Sequence, residues 1–318
     1  MPDLSAQVGA QRRVAWPVAA WVATLRTTLR LPLAHVRWLL ERAWGLRVSV
    51  GEVSALLAET ARAGRPAYAA LLAEARASPV VHLDETGWRE DGRNGWVWTV
   101  STPTVRLFHF SRSRAGAVAA YLLGDDGDGA VVSDFFGAYN DLERSQQRCW
   151  AHLLRDIHEL VAAHPGAAGC AAWAAGVRDV YDRAVAWATE ATTAGTNRIL
   201  RERSRDRFQA ELVALCRAQP PGAPQAVLGA RIERYQAELF TFVADPAVPP
   251  TNNAAERALR PLVVARKISG GARSAHGSAT RMVLHSLAAT WELRGLDPVT
   301  EFLALLRAPR PDREIAPV

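Results

Sequence analysis

The chain has 318 residues, 49% of them hydrophobic, with 22% charged residues and a formal net charge of +6. That is ample apolar material for one large domain or two ordinary ones, and no run of about 18 uncharged apolar residues offers a membrane span. The three cysteines, Cys149, Cys170 and Cys216, are odd in number and lack paired spacing. They argue against a disulfide framework and, with no signal-peptide stretch in MPDLSAQVGAQRR, point to the cytoplasm.

All basic residues except Lys267 are arginines, and they are unevenly placed. Residues 251–281 carry a net charge of +5, residues 82–141 a net of −4. A basic stretch is compatible with a phosphate-rich partner. It is equally compatible with a solvated helix face, and arginine bias also follows from base composition of the gene.

In chain order, residues 15–77 read as helices. Leu31–Trp44 has helical apolar spacing and stops at Gly45; Ser49–Leu57 restarts under a Ser or Gly cap. Helix, glycine turn, helix outlines a helix-turn-helix or an ordinary helical hairpin. The period then changes. Val80–Leu83 reads as a strand ending at Asp84, and Gly95–Val100 with Val105–Phe110 as a hairpin. A helix over Ala115–Leu123 and an acidic loop over 124–129 lead to a second apolar run, Ala130–Ser133, ending in Asp134. Arg148–Arg155 leads into a helix reaching about Ala163, and residues 167–243 are helical apart from a break at Pro220–Pro224. The Pro-rich tail after Leu306 is expected to be poorly ordered. The whole is a mixed α/β core followed by a long helical segment.

Two strand-like runs that each end in an aspartate would deliver Asp84 and Asp134 to one sheet edge if they lie side by side. A third acid, Glu256, sits in the first turn of a helix opened by PPTNN. Three convergent carboxylates can hold two hard divalent cations about 3.5–4 Å apart, a clamp for in-line displacement at phosphorus. Competing readings are plain: aspartates are common in turns, and Asn253-Ala-Ala-Glu256 fits a capping box that needs no chemistry.

The segments HLDETGW, DFFGAY, CWAHLLRD and TNNAAERALRPLVVARKISGGARSAHG resemble, in order, the signature blocks of the insertion-sequence-66 family of bacterial transposases. The resemblance runs from about residue 10 to about residue 307. It implies a DDE transposase with a ribonuclease-H-like mixed-sheet core, an N-terminal helical region and a large helical insertion before the catalytic Glu. The catalytic and metal-binding residues it implies are Asp84, Asp134 and Glu256, separated by 50 and 122 residues. The implied cofactor is Mg²⁺ or Mn²⁺, two ions. Implied partners are double-stranded DNA, as transposon ends and target, and further copies of the chain on that DNA. Other element-encoded proteins are also candidates; a membrane is not. The setting would be bacterial and nucleoid-associated.

On that frame the expected divisions are a helical N-terminal region 1–78, the first part of the core 79–165, a helical insertion 166–250, the Glu helix and basic part 251–308, and a tail 309–318. Many relatives carry a further N-terminal, cysteine-rich metal-binding region that this chain lacks. A DNA-binding remnant without catalysis is therefore the alternative. Arg257, Arg260, Arg266, Lys267 and Arg273 are the DNA-contact candidates. Arg260, one turn past Glu256, is placed to pair with it or with a phosphate, and Pro261 is expected to end or kink the helix. His152 and Asn253 are supporting candidates. Cys149 and His152 have CxxH spacing, but no second ligand pair accompanies them, which argues against zinc. Trp88, Trp96 and Trp98 could stack on bases, although the last two share a strand face and suit packing better. Glu85, facing away from Asp84 on the strand, reads best as solvated.

Overall fold

The structure is a computed structural model that describes residues 14–124 and 128–308. The expected tail 309–318, the first 13 residues and part of the acidic loop lie outside the described residues. The chain opens with helices α1 (Trp16–Thr27), α2 (Leu33–Trp44) and α3 (Val50–Arg76). Strands β1 (Val80–Glu90), β2 (Arg93–Ser101) and β3 (Arg106–Ser111) follow, then α4 (Gly116–Leu123), β4 (Ala130–Ser133) and β5 (Gln146–Arg148). Next come α5 (Trp150–Ala163), α6 (Ala168–Thr193), α7 (Arg198–Arg217) and α8 (Ala226–Arg234). The short helices α9 (Gln236–Leu239) and α10 (Thr241–Ala244) precede α11 (Asn253–Ser269), α12 (Ala275–Leu293) and α13 (Pro298–Arg307). Among the described residues no helix is long and apolar enough to cross a membrane.

The fold is mixed α/β and mostly helical, with a five-stranded sheet in the order β3-β2-β1-β4-β5. By contacts the chain divides into two compact units. One gathers the residues up to 75, 85–114 and those from 257 on; the other gathers 76–84 and 115–256. β1 contributes its first part to the second unit and its remainder to the first.

The second unit holds the parallel strands. β1 pairs with β4 from Val80↔Ala130 to His82↔Val132, and β4 with β5 from Val131↔Gln146 to Ser133↔Arg148. Residues 80–83 and all of β4 are buried, which explains why both read as continuous apolar runs rather than alternating ones. The unit's core contains Trp150, Trp173, Phe208 and Phe240, so much of it comes from the long helical segment. β5 was not foreseen. Its residues Gln146, Gln147 and Arg148 are polar yet buried, and Gln147 is satisfied by donating to Leu239 O (3.1 Å) and accepting from Phe242 N (3.0 Å).

The first unit holds the expected hairpin, β2 against β3, in register from Trp96↔Ser111 to Ser101↔Arg106. A small core of Trp88, Val97, Phe108, Leu259, Leu262 and Met282 packs there. α3 begins with a capping box: Ser49 Oγ accepts from Glu52 N (3.0 Å), and Glu52 Oε2 accepts from Ser49 N (2.7 Å). It then runs for 27 residues, through Pro66. Two expectations are corrected here. β1 does not end at Asp84 but continues to Glu90, and α11 does not end at Pro261 but continues to Ser269. Burial of Leu259, Leu262 and Ala265 around that proline offsets the roughly 3 kcal/mol that an interior proline costs.

Candidate active site

The parallel pairing of β1 with β4 directs the two aspartates toward the same end of the sheet. Each paired residue of β1 lies opposite the residue 50 positions later on β4. Asp84 lies two residues beyond His82 on β1, and Asp134 is the residue that directly follows β4, so both come after the paired segment at the same end of the two parallel strands. Both residues are half-buried, at the point where the strands leave the core. The turn after β4 is tied down by the site's own groups. Asp134 Oδ1 accepts from Phe136 N (2.8 Å), while Arg148 Nη1 donates to the Asp134 carbonyl (2.8 Å). Arg148 is fully buried and also holds Asn140 Oδ1 (3.0 Å) and the Glu238 carboxylate.

Glu256 reaches this unit at the start of α11, and the residue that anchors that start is Asn252, not Asn253. Asn252 is fully buried. Its Nδ2 donates to Leu83 O (2.7 Å), its Oδ1 accepts from His82 Nδ1 (3.0 Å), and its backbone N–H points to Cys149 Sγ (3.1 Å). One residue thus joins the strand residue before Asp84, through its side chain, to the entry to α5, through its backbone N–H, at the start of the helix of Glu256. Asn253 is exposed and is the first helical residue, so Glu256 is its fourth and the capping box expected at Asn253 is not formed. Asn252, His82 and Arg148 escaped sequence reasoning. The adjacent asparagines of PPTNN were the one available signal for Asn252.

Glu256 Oε1 is buried with no hydrogen-bond partner among the described residues; its closest cationic neighbour is His152 Nε2 at 3.6 Å. His152 Nδ1 is likewise buried and unbonded. The imidazole is held above its ordinary pKa chiefly by a hydrogen bond with Cys149, against burial, with help from the charges of Glu256 and Asp134. Cys149, His152 and Glu256 place their ligand atoms within 4.8 Å of one another. The third member of that set arrives from more than a hundred residues away, which CxxH spacing by itself cannot reveal.

The remaining expectations belong to the first unit. Glu85 is not solvated. Its carboxylate is buried, and Oε1 accepts from Arg114 Nη2 (2.6 Å) and Nε (3.0 Å). Arg114 in turn lies over the Trp96 ring at 4.5 Å. Trp88 and Trp98 are fully buried and so pack rather than stack on bases. Arg257, Arg260 and Lys267 are exposed along α11 at spacings of one helical face. Arg266 is engaged through Nη1 by the Gly87 carbonyl and Thr86 Oγ1. Arg273 is exposed beyond a tight turn. That turn is pinned: Ala272 N donates to Arg89 O (2.8 Å), Asp91 N donates to Ala272 O (2.9 Å), and a Cβ on Gly271 would sit 1.7 Å from Arg89 O.

Comparison with known proteins adds to this geometry. The family model described as "Transposase IS66 family" matches residues 14–280. A curated relative, the uncharacterized protein y4qI of Sinorhizobium fredii (strain NBRC 101917 / NGR234), is 24% identical. The match covers 64% of this chain and 42% of that relative, so the chain spans less than half the relative's length.

Proposed function

The chain belongs to the IS66 family of transposases, and from that premise we propose that it cuts and rejoins DNA strands through Asp84, Asp134 and Glu256. The observation that supports this reading is the parallel pairing of β1 with β4, which carries Asp84 and Asp134 toward the same end of the two strands, with a partnerless buried Glu256 oxygen in the same unit. The first acid on the first strand, the second directly after the fourth and the third on a later helix is the placement a ribonuclease-H-like core implies.

By donor chemistry the three carboxylates suit two divalent cations of the Mg²⁺ or Mn²⁺ kind, while among the described residues the ligand atoms that lie within 4.8 Å of one another are those of Cys149, His152 and Glu256. Carboxylate oxygens suit hard ions, and a desolvated carboxylate oxygen without a donor is poised for one. When bound, such ions supply Lewis acidity at phosphorus and an acidified water or hydroxyl. The chain's own residues hold the geometry. The Phe136 N–H orients Asp134, Arg148 fixes the carbonyl beside it, and Asn252 ties Glu256 to the strand of Asp84. The exposed cations Arg257, Arg260, Lys267 and Arg273 would bind the phosphates of double-stranded transposon ends and target. Joining two ends calls for more than one copy of the chain on DNA.

A second reading rests on the clustering of Cys149, His152 and Glu256. One softer ion such as zinc, on sulfur, nitrogen and oxygen, would use the same glutamate. Against it, the Cys149 sulfur already faces the Asn252 N–H. Cobalt(II) separates the two, because a thiolate ligand gives a ligand-to-metal charge-transfer band that carboxylates do not.

Glu256→Gln tests the main reading. It keeps side-chain size and removes the charge, and Mg²⁺-dependent cutting of labelled ends should fall by roughly 10²–10³-fold, the scale for losing one electrostatic contributor at a site. Undiminished cutting would remove Glu256 from the metal site. A parent chain that binds DNA but never cuts it would favour the remnant alternative.

A further inference from the structure

In the first unit two arginines lie together on one hydroxyl, and among the described residues no acid is paired with either. Arg26, on α1, donates from Nη2 to Ser269 Oγ (3.2 Å), and Arg281, on α12, donates from Nη2 to the same oxygen (3.2 Å). The hydroxyl hydrogen of Ser269 is spent on Ala265 O (2.9 Å), so the oxygen can serve both guanidiniums only as an acceptor. Arg281 is 6% exposed. Among the described residues neither arginine has a carboxylate within ion-pair distance, whereas Arg112 and Arg114 of the same unit do. Burial lowers Arg26 to about 10, and burial together with the Arg26 charge lowers Arg281 to about 9. Both stay charged at neutral pH. Two uncompensated, partly desolvated cations constitute a standing demand for an anion.

Beside them His285 is 4% exposed. Its Nδ1–H donates to Arg281 O (3.0 Å), which leaves Nε2 as the lone-pair nitrogen of the neutral ring. That Nε2 is buried and has no hydrogen-bond partner among the described residues. Arg26, Ser269, Arg273, His276, Arg281 and His285 all line one half-open cavity of about 520 Å³. The cavity's lining therefore combines cationic donors for anionic oxygens with a histidine whose buried Nε2 has no O–H or N–H partner among the described residues.

We propose that this cavity is a phosphate-binding site taking a free phosphate or a phosphate monoester: the guanidiniums of Arg26 and Arg281 hold the anionic oxygens, and His285 Nε2 accepts from the P–OH. Fork-shaped guanidiniums match phosphate oxygens. Free phosphate keeps a P–OH at neutral pH, and a monoester keeps one when bound as its monoanion, whereas sulfate and a phosphodiester carry none. The site shares no residue with the three carboxylates and does not depend on the reading of them.

The test titrates the full chain with sodium phosphate, and separately with sodium sulfate at matched ionic strength, by calorimetry. Phosphate should bind saturably at one site and more tightly than sulfate. Affinity should drop at least about tenfold in Arg281→Leu and in Arg26→Gln, each of which removes a charge-assisted contact. Loss of Arg281 from over the Trp88 ring can itself unfold the unit, so Arg26→Gln, at the less buried of the two arginines and checked by circular dichroism, decides. Oligonucleotides with and without a 5′-phosphate identify the source. Displacement of phosphate only by the phosphorylated strand assigns a DNA end, and displacement by neither assigns free phosphate; both support the site. No saturable phosphate binding, binding unchanged in folded Arg26→Gln, equal sulfate affinity, or equal displacement by the unphosphorylated strand overturns it.

Discussion

In the first unit the buried carboxylates meet arginines: Glu85 takes Arg114 and Glu90 takes Arg112, each at 2.6 Å. In the second unit Asp134 and Glu256 do not. Asp134 leans on a backbone N–H, Glu256 has an oxygen that no donor reaches, and the nearby arginine, Arg148, spends itself on a carbonyl and on Glu238. Acids of the first kind are neutralised within the fold and serve it. Acids of the second kind keep a lone pair available, a costly arrangement for stability that becomes favourable when a cation is supplied. Asp84 and Glu85 are consecutive residues of one strand, yet they fall to different units.

The largest expected effects would break this contrast if they came out reversed. Asp84→Asn and Asp134→Asn should each lower metal-dependent strand cutting by roughly 10²–10³-fold, and Asp134→Asn should leave the melting temperature unchanged or higher. Glu85→Gln should do the opposite. It strands half-exposed Arg114 against a buried neutral partner and costs about 2 kcal/mol, below the full cost of breaking a wholly buried pair because water screens the arginine. Cutting per folded molecule should be preserved. A destabilised Asp134→Asn beside an unaffected Glu85→Gln would mean that the roles had been assigned the wrong way round.

Asn252→Ala sharpens the comparison at its joint. The change removes a donor to Leu83 O and an acceptor for His82, both in a fully buried place, and should cost about 2–3 kcal/mol in denaturant melts. Because the same side chain fixes the start of α11, cutting should fall as well, even under conditions where the variant is folded. Loss of stability with full activity would show that Glu256 needs no such anchor.

How much of this was legible follows from how each element is buried. β4 and the start of β1 are covered on both faces, so their sequences are plain apolar runs and the acids that follow them stand out. The rest of β1, from Asp84 to Glu90, mixes two charged pairs with Thr86 and Gly87, and its strand character rests on partners distant in sequence. β5 offers no apolar residue at all; Gln147 and Arg148 are satisfied by groups some ninety residues away. The solvated reading of Glu85 failed for the same reason, since only folding brings Arg114 to it. Likewise Arg26 and Arg281 are far apart in the chain, and nothing local marks them as sharing one hydroxyl.

The smallest effect is a titration. In metal-free protein His152 should titrate above the ordinary histidine value of 6.5. Since the raised value belongs to the folded state, the stability it contributes is complete below about 6.5 and disappears as pH rises through the folded value. Imidazole resonances followed by NMR measure it directly. Cys149→Ala should lower the value more than Glu256→Gln does, because the hydrogen bond with Cys149 is the larger cause and the Glu256 charge the smaller. If Glu256→Gln produced the larger drop, the histidine would be reporting the carboxylate rather than the sulfur. Glu256 would then be partly neutralised by a protein cation, as Glu85 is by Arg114, and the distinction between the two kinds of acid would narrow to Asp134.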